Sequence, residues 1–136
     1  MKNSTVITVD PGKYATKSVT GIDGNGKRVS FRTKTFKLRE GVDLDIQGNS
    51  FKVIFNGETY IVGDQGEEVN YSVNKSTINH KLATYTAITQ LLDNNNSVKL
   101  VLGCPTSIYK NKEMREEYKN YILNAKVLKE NKVIFL

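Results

Sequence analysis

The sequence constrains its fold most strongly at the first strand and the turn that follows it. Residues Val6–Val9 are β-branched and largely apolar, and Asp10–Lys17 then bend towards a second strand. A strand that ends in an acid, a glycine and two lysines suits a phosphate and its metal ion. We expect Asp10 to hold Mg²⁺ through water, Gly12 to give the backbone a close approach or a positive φ, and Lys17 to face phosphate oxygens. This pattern is typical of a site for a nucleoside triphosphate.

A plain β-hairpin is the alternative interpretation of the same turn. Asp-Pro-Gly is a common β-turn composition, and two strands joined by it need no ligand. The N-terminal position of the turn and its basic residues, Lys13 and Lys17, favour the phosphate interpretation. For Lys13, a solvated turn lysine and a phosphate contact stay equally open. Thr16 is expected to be an exposed strand residue rather than a hydroxyl donor.

The rest of the pattern predicts a mixed α/β domain. Alternating polarity and turn residues indicate strands, and apolar residues at helical spacing indicate helices. The first half is predicted to contain strands at Tyr14–Ile22 and Arg28–Leu38 and a hairpin of Phe51–Phe55 and Thr59–Val62 around Asn56-Gly57-Glu58. A helix capped by Ser76 or Thr77 and stopped at Asp93–Asn96 follows, and then a buried central strand at Val98–Leu102 with a loop at Gly103–Ser107. The last elements are an amphipathic helix at Lys112–Leu123 with Met114, Tyr118, Tyr121 and Ile122, and a closing strand at Lys132–Leu136.

Composition limits the classes of protein to consider. The 136 residues suit one domain, and the formal net charge of +6 comes from 20 basic and 14 acidic residues. Because the basic residues are scattered, a nucleic-acid partner is permitted but not required. The single cysteine, Cys104, excludes an internal disulfide framework. With no apolar segment of membrane-spanning length and no signal peptide, we expect an intracellular, cytoplasmic protein without a membrane partner.

Three segments in order resemble the actin-like ATPases, the superfamily of actin, plasmid-segregation actins, chaperone ATPases and sugar kinases. They are the Asp10–Lys17 turn, Phe55–Gly63, which is similar to the hairpin that replaces a larger actin subdomain, and Lys99–Pro105, which looks like a strand and Gly-x-Pro loop. Together they resemble the N-terminal domain of bacterial ParM-type and archaeal actin-like plasmid-segregation proteins. The resemblance implies a ribonuclease-H-like lobe with a mixed five-stranded sheet. Three antiparallel strands come first, helix-linked parallel strands follow, and a small β-hairpin is inserted.

The resemblance also implies ligands and roles. ATP and Mg²⁺ are the implied cofactors, with Asp10 near the metal, Gly12 under the phosphates and Lys17 reaching them. Lys13 departs from actin, which has a small hydroxyl residue there. The implied full-length protein is an ATPase that assembles head to tail into filaments and moves plasmid DNA through an adaptor protein.

The second acidic, glycine-rich loop of that family does not occur in this sequence. Residues 1–136 are therefore expected to be one domain, the isolated first lobe of a two-lobed ATPase. It contains no catalytic residue of its own and should hydrolyse ATP little, because both walls of the site position the reactants. Two alternatives stay open: the lobe of a sugar kinase or a heat-shock-type chaperone, and a small basic nucleic-acid-binding or adaptor module.

Other residues have simpler interpretations. His80 is expected on a helix surface, and Cys104 is expected to be a small packed residue. A ribonuclease-like carboxylate cluster of Asp10 with Asp64, Glu67 and Glu68 lacks a spacing argument. The helix tyrosines are expected in the core or partly exposed, although an exposed one could stack on a base; they are Tyr109, Tyr118 and Tyr121.

Overall fold

The computed structural model describes residues 5–21, 26–66, 68–69, 78–92, 98–123, 126–129 and 132–135. Its elements in chain order are β1 (Thr5–Pro11), β2 (Ala15–Thr20), β3 (Arg28–Arg32), β4 (Lys34–Lys37), β5 (Ser50–Phe55), β6 (Glu58–Gly63), β7 (Glu68–Val69), α1 (Ile78–Leu91), β8 (Val98–Leu102), α2 (Thr106–Tyr109), α3 (Lys112–Leu123), β9 (Lys126–Lys129) and β10 (Lys132–Phe135).

The first sheet has the strand order β3-β2-β1-β8. Strands β1, β2 and β3 are antiparallel neighbours, and β8 returns parallel to β1 after α1. The predicted ribonuclease-H-like arrangement of antiparallel strands followed by a helix-linked parallel strand is therefore confirmed. The central position predicted for β8 is wrong, because within the described residues it pairs only with β1 and leaves Val101 52% exposed.

The predicted strand Arg28–Leu38 is in fact two strands in two sheets. It is interrupted at Thr33, which is fully buried and donates its backbone N–H to the Tyr14 carbonyl at 2.9 Å. Beyond this point the chain leaves the first sheet, and β4 pairs with β6 in the second. Alternating polarity continues through the crossing, so the sequence alone gives no sign of it.

The second sheet has the order β10-β9-β5-β6-β4-β7 and contains the predicted hairpin. Asn56 and Gly57 both have positive φ, 50° and 77°, as a two-residue type I′ turn requires. The closing strand predicted at 132–136 is β10 over its described residues 132–135, and it lies here rather than in the first sheet, because β9 and β10 pair with each other and β9 joins β5 at Ile54. The first sheet consequently has four strands within the described residues, where five were predicted.

Helix α1 is the centre of the molecule. It packs against strands of both sheets, and nearly all its residues are buried, including His80 and Tyr85. The Tyr85 hydroxyl donates to the Ile122 carbonyl of α3, which covers the same side of the first sheet. The predicted helix at 112–123 is confirmed, although Met114 is exposed. The predicted cap at 76–77 and stop at 93–96 lie outside the described residues.

Candidate functional site

The structure brings Asp10 and Lys17 together on one face of the first sheet. They are directly opposite residues in the antiparallel β1–β2 pair, and both side chains are exposed. Opposite residues of such a pair project to the same side, with Cα atoms about 5 Å apart. The acid predicted for the metal and the lysine predicted for phosphate are therefore neighbours at the mouth of the turn.

Gly12 closes the turn tightly. Its N–H donates to the carbonyls of Asp10 and Ala15, both at 3.0 Å. A Cβ atom at this position would lie 2.7 Å from the Ala15 carbonyl oxygen, so the turn requires glycine for its close approach. Gly12 is not among the positive-φ glycines of the described chain, so the expected positive φ is absent, and the close approach that it makes is to the Ala15 carbonyl.

Arg32 holds the turn from the neighbouring strand and was missed in the sequence. Its Nε donates to the Tyr14 carbonyl at 3.2 Å, and its guanidinium lies 3.5 Å from the centre of the Tyr14 ring. Arg32 is the cross-strand partner of Ala15. Counting the register of the predicted β2–β3 pair would have found it. The turn thus has three nearby cations, Lys13, Lys17 and Arg32, beside the carboxylate of Asp10.

A second loop, which follows β8, contacts the end of β1 beside the turn. The Gly103 N–H donates to the Val9 carbonyl at 2.8 Å, and a Cβ atom on Gly103 would lie 2.6 Å from Asp10 Oδ1. Behind it, the Tyr118 hydroxyl donates to the Gly103 carbonyl at 3.4 Å. Burial raises the pKa of Tyr118, and the nearby Cys104 and Asp10 raise it further. The sequence indicated this strand-end loop but not its contact with Asp10.

The remaining predicted site residues have different positions. Lys13 is exposed on the turn, in agreement with either of its two interpretations. Thr16 was expected to be exposed, but it is fully buried and shares a 2.8 Å hydrogen bond with the Thr33 hydroxyl. The reason is that β2 turns its polar residues Thr16 and Ser18 inwards while Lys17 faces out.

The other candidates lie apart from the Asp10 turn or outside the described residues. His80 is fully buried rather than on a helix surface, because α1 is covered on all sides. Asp64 accepts a hydrogen bond from the Arg32 N–H at 3.4 Å; Glu67 and the side chain of Glu68 lie outside what the structure describes. Within the described part, no three metal-ligating side chains cluster together. Cys104 is half-buried against the core, as expected.

Two of the three helix tyrosines lie in the core or are partly exposed, as expected, and Tyr109 is exposed instead. Tyr118 is buried, Tyr121 is half-buried, and Tyr109 is 61% exposed beside Arg115. As for the membrane, none of the helices in the described ranges combines the length and apolarity needed to cross one.

Residues 8–134 match the family model of the N-terminal domain of actin-like proteins. The match covers the turn, both sheets and the helices, so it extends over nearly the whole chain. A comparison with curated proteins gave no significant match.

Several solved structures are similar to this chain. The Alp12 filament is 40% identical with a TM-score of 0.68, over 97% of this chain and 43% of that one. Apo psk41 ParM has a TM-score of 0.74 at 13% identity, over 98% of this chain and 47% of that one. The AlfA filament bound to AMPPNP has a TM-score of 0.67 at 20% identity, over 98% and 50%. The two less identical structures show the fold alone, and the chain spans half or less of each of these three proteins.

Proposed function

The chain belongs to the actin-like protein family, in which it is the N-terminal domain, and from this premise we propose that it is the first lobe of a two-lobed, filament-forming ATPase. The supporting observation is the pairing of Asp10 with Lys17 across β1 and β2 at the mouth of a glycine turn. A carboxylate beside a cation suits a metal ion bound to phosphate. A hairpin with no ligand would not need this pair. The proposed ligands are ATP and Mg²⁺.

The residues of the turn fit these ligands by space as well as by charge. Neither Gly12 nor Gly103 has room for a Cβ atom. The turn and the loop after β8 therefore leave space beside Asp10 that side chains at these two positions would fill. We assign Asp10 to a water molecule of the metal, Gly12 to the space under the phosphates, and Lys17 and Lys13 to phosphate oxygens. When bound, Mg²⁺ would neutralise charge on the phosphate oxygens.

The contribution of this lobe is binding and orientation. Arg32 fixes the Tyr14 carbonyl and so keeps the turn in one conformation, which reduces the entropy lost on binding. Lys17 is held in register by the sheet rather than by a flexible loop. We assign no proton-transfer residue to this chain and propose that the opposite wall of the site, in a second lobe, positions the attacking water.

Assembly is the second part of the proposal. Alp12 and AlfA, which this chain resembles, form filaments. We propose that the full-length protein stacks head to tail when ATP closes its lobes, because a heterologous contact that does not close a ring gives an open filament. Segregation of plasmid DNA through an adaptor protein, in the cytoplasm, is the process we propose for it.

Nucleotide binding tests the site directly. Amide resonances of the chain would be followed by NMR during titration with Mg-ATP, and residues 10–17 should shift most. Lys17→Ala should weaken binding by about tenfold, the usual cost of losing one charge-assisted contact. Lys110→Ala is the matched control, because Lys110 is exposed at the end of α2. Binding that is equal in both variants, or independent of Mg²⁺, would contradict the proposed site.

Light scattering by the two-lobed protein tests assembly. Scattering should rise on addition of Mg-ATP and fall as the nucleotide is hydrolysed. Turnover that requires a small acceptor molecule, without a rise in scattering, would instead indicate a kinase.

A further inference from the structure

A basic cleft lies along the edge of the first sheet, next to the turn at residues 10–17. Its volume is about 540 Å³, and it is bounded by β2, by β3 and by the chain just before β5. The lining residues are Lys17, Ser18, Arg28, Val29, Ser30 and Asn49. Lys17 therefore borders both this cleft and the turn beside Asp10.

Four of the six lining residues are exposed and carry side-chain hydrogen-bond donors, whereas Val29 is apolar and the buried Ser18 hydroxyl donates to the Thr8 carbonyl. Lys17 and Ser30 are opposite residues of the β2–β3 pair, so they project to the same face. Arg28 lies two residues before Ser30 on that strand and projects to the same side. Asn49, an exposed residue with a side-chain amide, lines the cleft just before β5, and none of the lining residues is acidic. Two cations, a hydroxyl and an amide form a donor set that suits a tetrahedral oxyanion.

The far wall of the cleft belongs to the junction between the two sheets. The carbonyl of Asn49 accepts the Asp64 N–H at 3.1 Å. Gly63, with φ at +114°, passes so close that a Cβ atom would lie 2.1 Å from the Asn49 oxygen. Asp64 in turn accepts the Arg32 N–H from the first sheet. An anion held between Lys17 and Asn49 would therefore contact both sheets where the chain crosses between them.

We propose that this cleft is a second anion site, which binds a phosphate group through Lys17, Arg28, Ser30 and Asn49. The proposal rests on the proposed function only in sharing Lys17 with the nucleotide turn. Free inorganic phosphate and a phosphate of bound nucleotide present the same oxygens, and both are tested.

The test is a titration of the 136-residue chain with inorganic phosphate, followed by amide NMR at constant ionic strength set with KCl. Ser30 and Asn49 should shift in a saturable way. Arg28→Gln and, independently, Asn49→Ala should each weaken binding by about tenfold, since each removes a donor to the anion. Lys110→Gln removes a distant exposed charge and should leave binding unchanged. Shifts that spread evenly over the surface, or equal affinity in all three variants, would overturn the proposal.

A parallel titration with Mg-ATP identifies the source of the phosphate. Shifts at Ser30 and Asn49 with Mg-ATP but not with inorganic phosphate assign the cleft to the nucleotide, and the reverse assigns it to free phosphate. Absence of shifts with both ligands would disprove the cleft site. The nucleotide site is judged separately in Asp10→Asn, which leaves the cleft intact. Phosphate binding at the cleft without any Mg-ATP binding by the unmodified chain would contradict the proposed function while supporting the cleft.

Discussion

Gly103 controls the position of Asp10 through its missing side chain. A Cβ atom there would lie 2.6 Å from Asp10 Oδ1, a side-chain atom that can move, whereas at Gly12 the obstacle is the Ala15 backbone. We therefore expect Gly103→Ala to displace the carboxylate while the chain still folds. The Mg²⁺ concentration that supports half-maximal nucleotide binding should rise about tenfold, because a metal ligand that loses its orientation binds the metal more weakly.

The measurement is a Mg²⁺ titration at fixed ATP, with a thermal melt to check folding. Ser107→Ala, on the exposed start of the helix after the same loop, is the control. A Gly103→Ala protein with unchanged Mg²⁺ dependence would mean that Asp10 does not approach the metal.

Lys81 is a buried cation in the first turn of α1. It is only 8% exposed, and its Nζ lies 4.0 Å from the centre of the Tyr121 ring and 5.7 Å from that of Phe55. Burial lowers its pKa from 10.5. The folded chain releases this proton earlier than the unfolded chain, so the free energy of unfolding should rise with pH from the lowered pKa up to 10.5.

Lys81→Met should remove this rise in stability, because the thioether keeps the apolar volume without a charge. Burial raises the pKa of Tyr85 and of Tyr121, so stability should fall above pH 10 in both proteins as the unfolded tyrosines ionise. Denaturant unfolding from neutral pH to about pH 10 measures the difference. Parallel curves for the two proteins over that range would show that Lys81 keeps its ordinary pKa.

At the scale of elements, a buried hydroxyl pair holds β2 to the point where the chain changes sheets. Thr16 and Thr33 are both fully buried and share a 2.8 Å hydrogen bond. Thr16→Val or Thr33→Val alone leaves the other hydroxyl without its partner and should lower the free energy of unfolding by about 1–3 kcal/mol. The double variant removes both groups and should cost clearly less than the sum of the two.

Chemical denaturation of the four proteins completes this double-mutant cycle. Strictly additive losses would mean that the two hydroxyls do not depend on each other. Thr8→Val changes a partly exposed threonine of the neighbouring strand β1 and is the control for strand propensity.

The sequence predicted the helices and strands better than it predicted which strands pair with each other. The type I′ turn of the β5–β6 hairpin and the helix at 112–123 follow from local chemistry, namely Asn-Gly at the turn and apolar residues at helical spacing. The change of sheet at Thr33 and the second-sheet position of β10 depend on which strand edge is available, and strand alternation carries no such information. The short helix α2 was assigned to a loop because its four residues are too few for a periodic pattern.

In the candidate site, too, the residues that are close in sequence could be predicted and those from distant elements could not. Asp10 and Lys17 could be predicted together, because both belong to one turn and one antiparallel pair. Arg32 and Gly103 reach the site from another strand and another loop, so only the register and the parallel return of β8 reveal them. His80 was misplaced because a helix buried on all sides has no polar face from which to judge exposure.

At the scale of the whole molecule, α1 joins the two sheets into one body. It contacts strands of both, and the Thr35 hydroxyl of β4 donates to the Asn79 side chain of the helix. The turn at residues 10–17, the loop after β8 and the sheet junction therefore share one core. A ligand held at the turn is thus positioned by the whole domain rather than by a mobile loop.

One wall of a nucleotide site should bind without catalysing. The described turn supplies a carboxylate, a glycine and cations, whereas in the proposed function a second lobe orients the attacking water. Orientation and charge stabilisation account for much of the rate of phosphoryl transfer. We therefore expect phosphate release by the purified chain in Mg-ATP to stay at the level of the buffer. Lys17→Ala should weaken ATP binding yet leave this background rate unchanged, since no turnover depends on it. Release at the rate of an intact filament-forming ATPase, lost in Lys17→Ala, would mean instead that these residues form a complete active site.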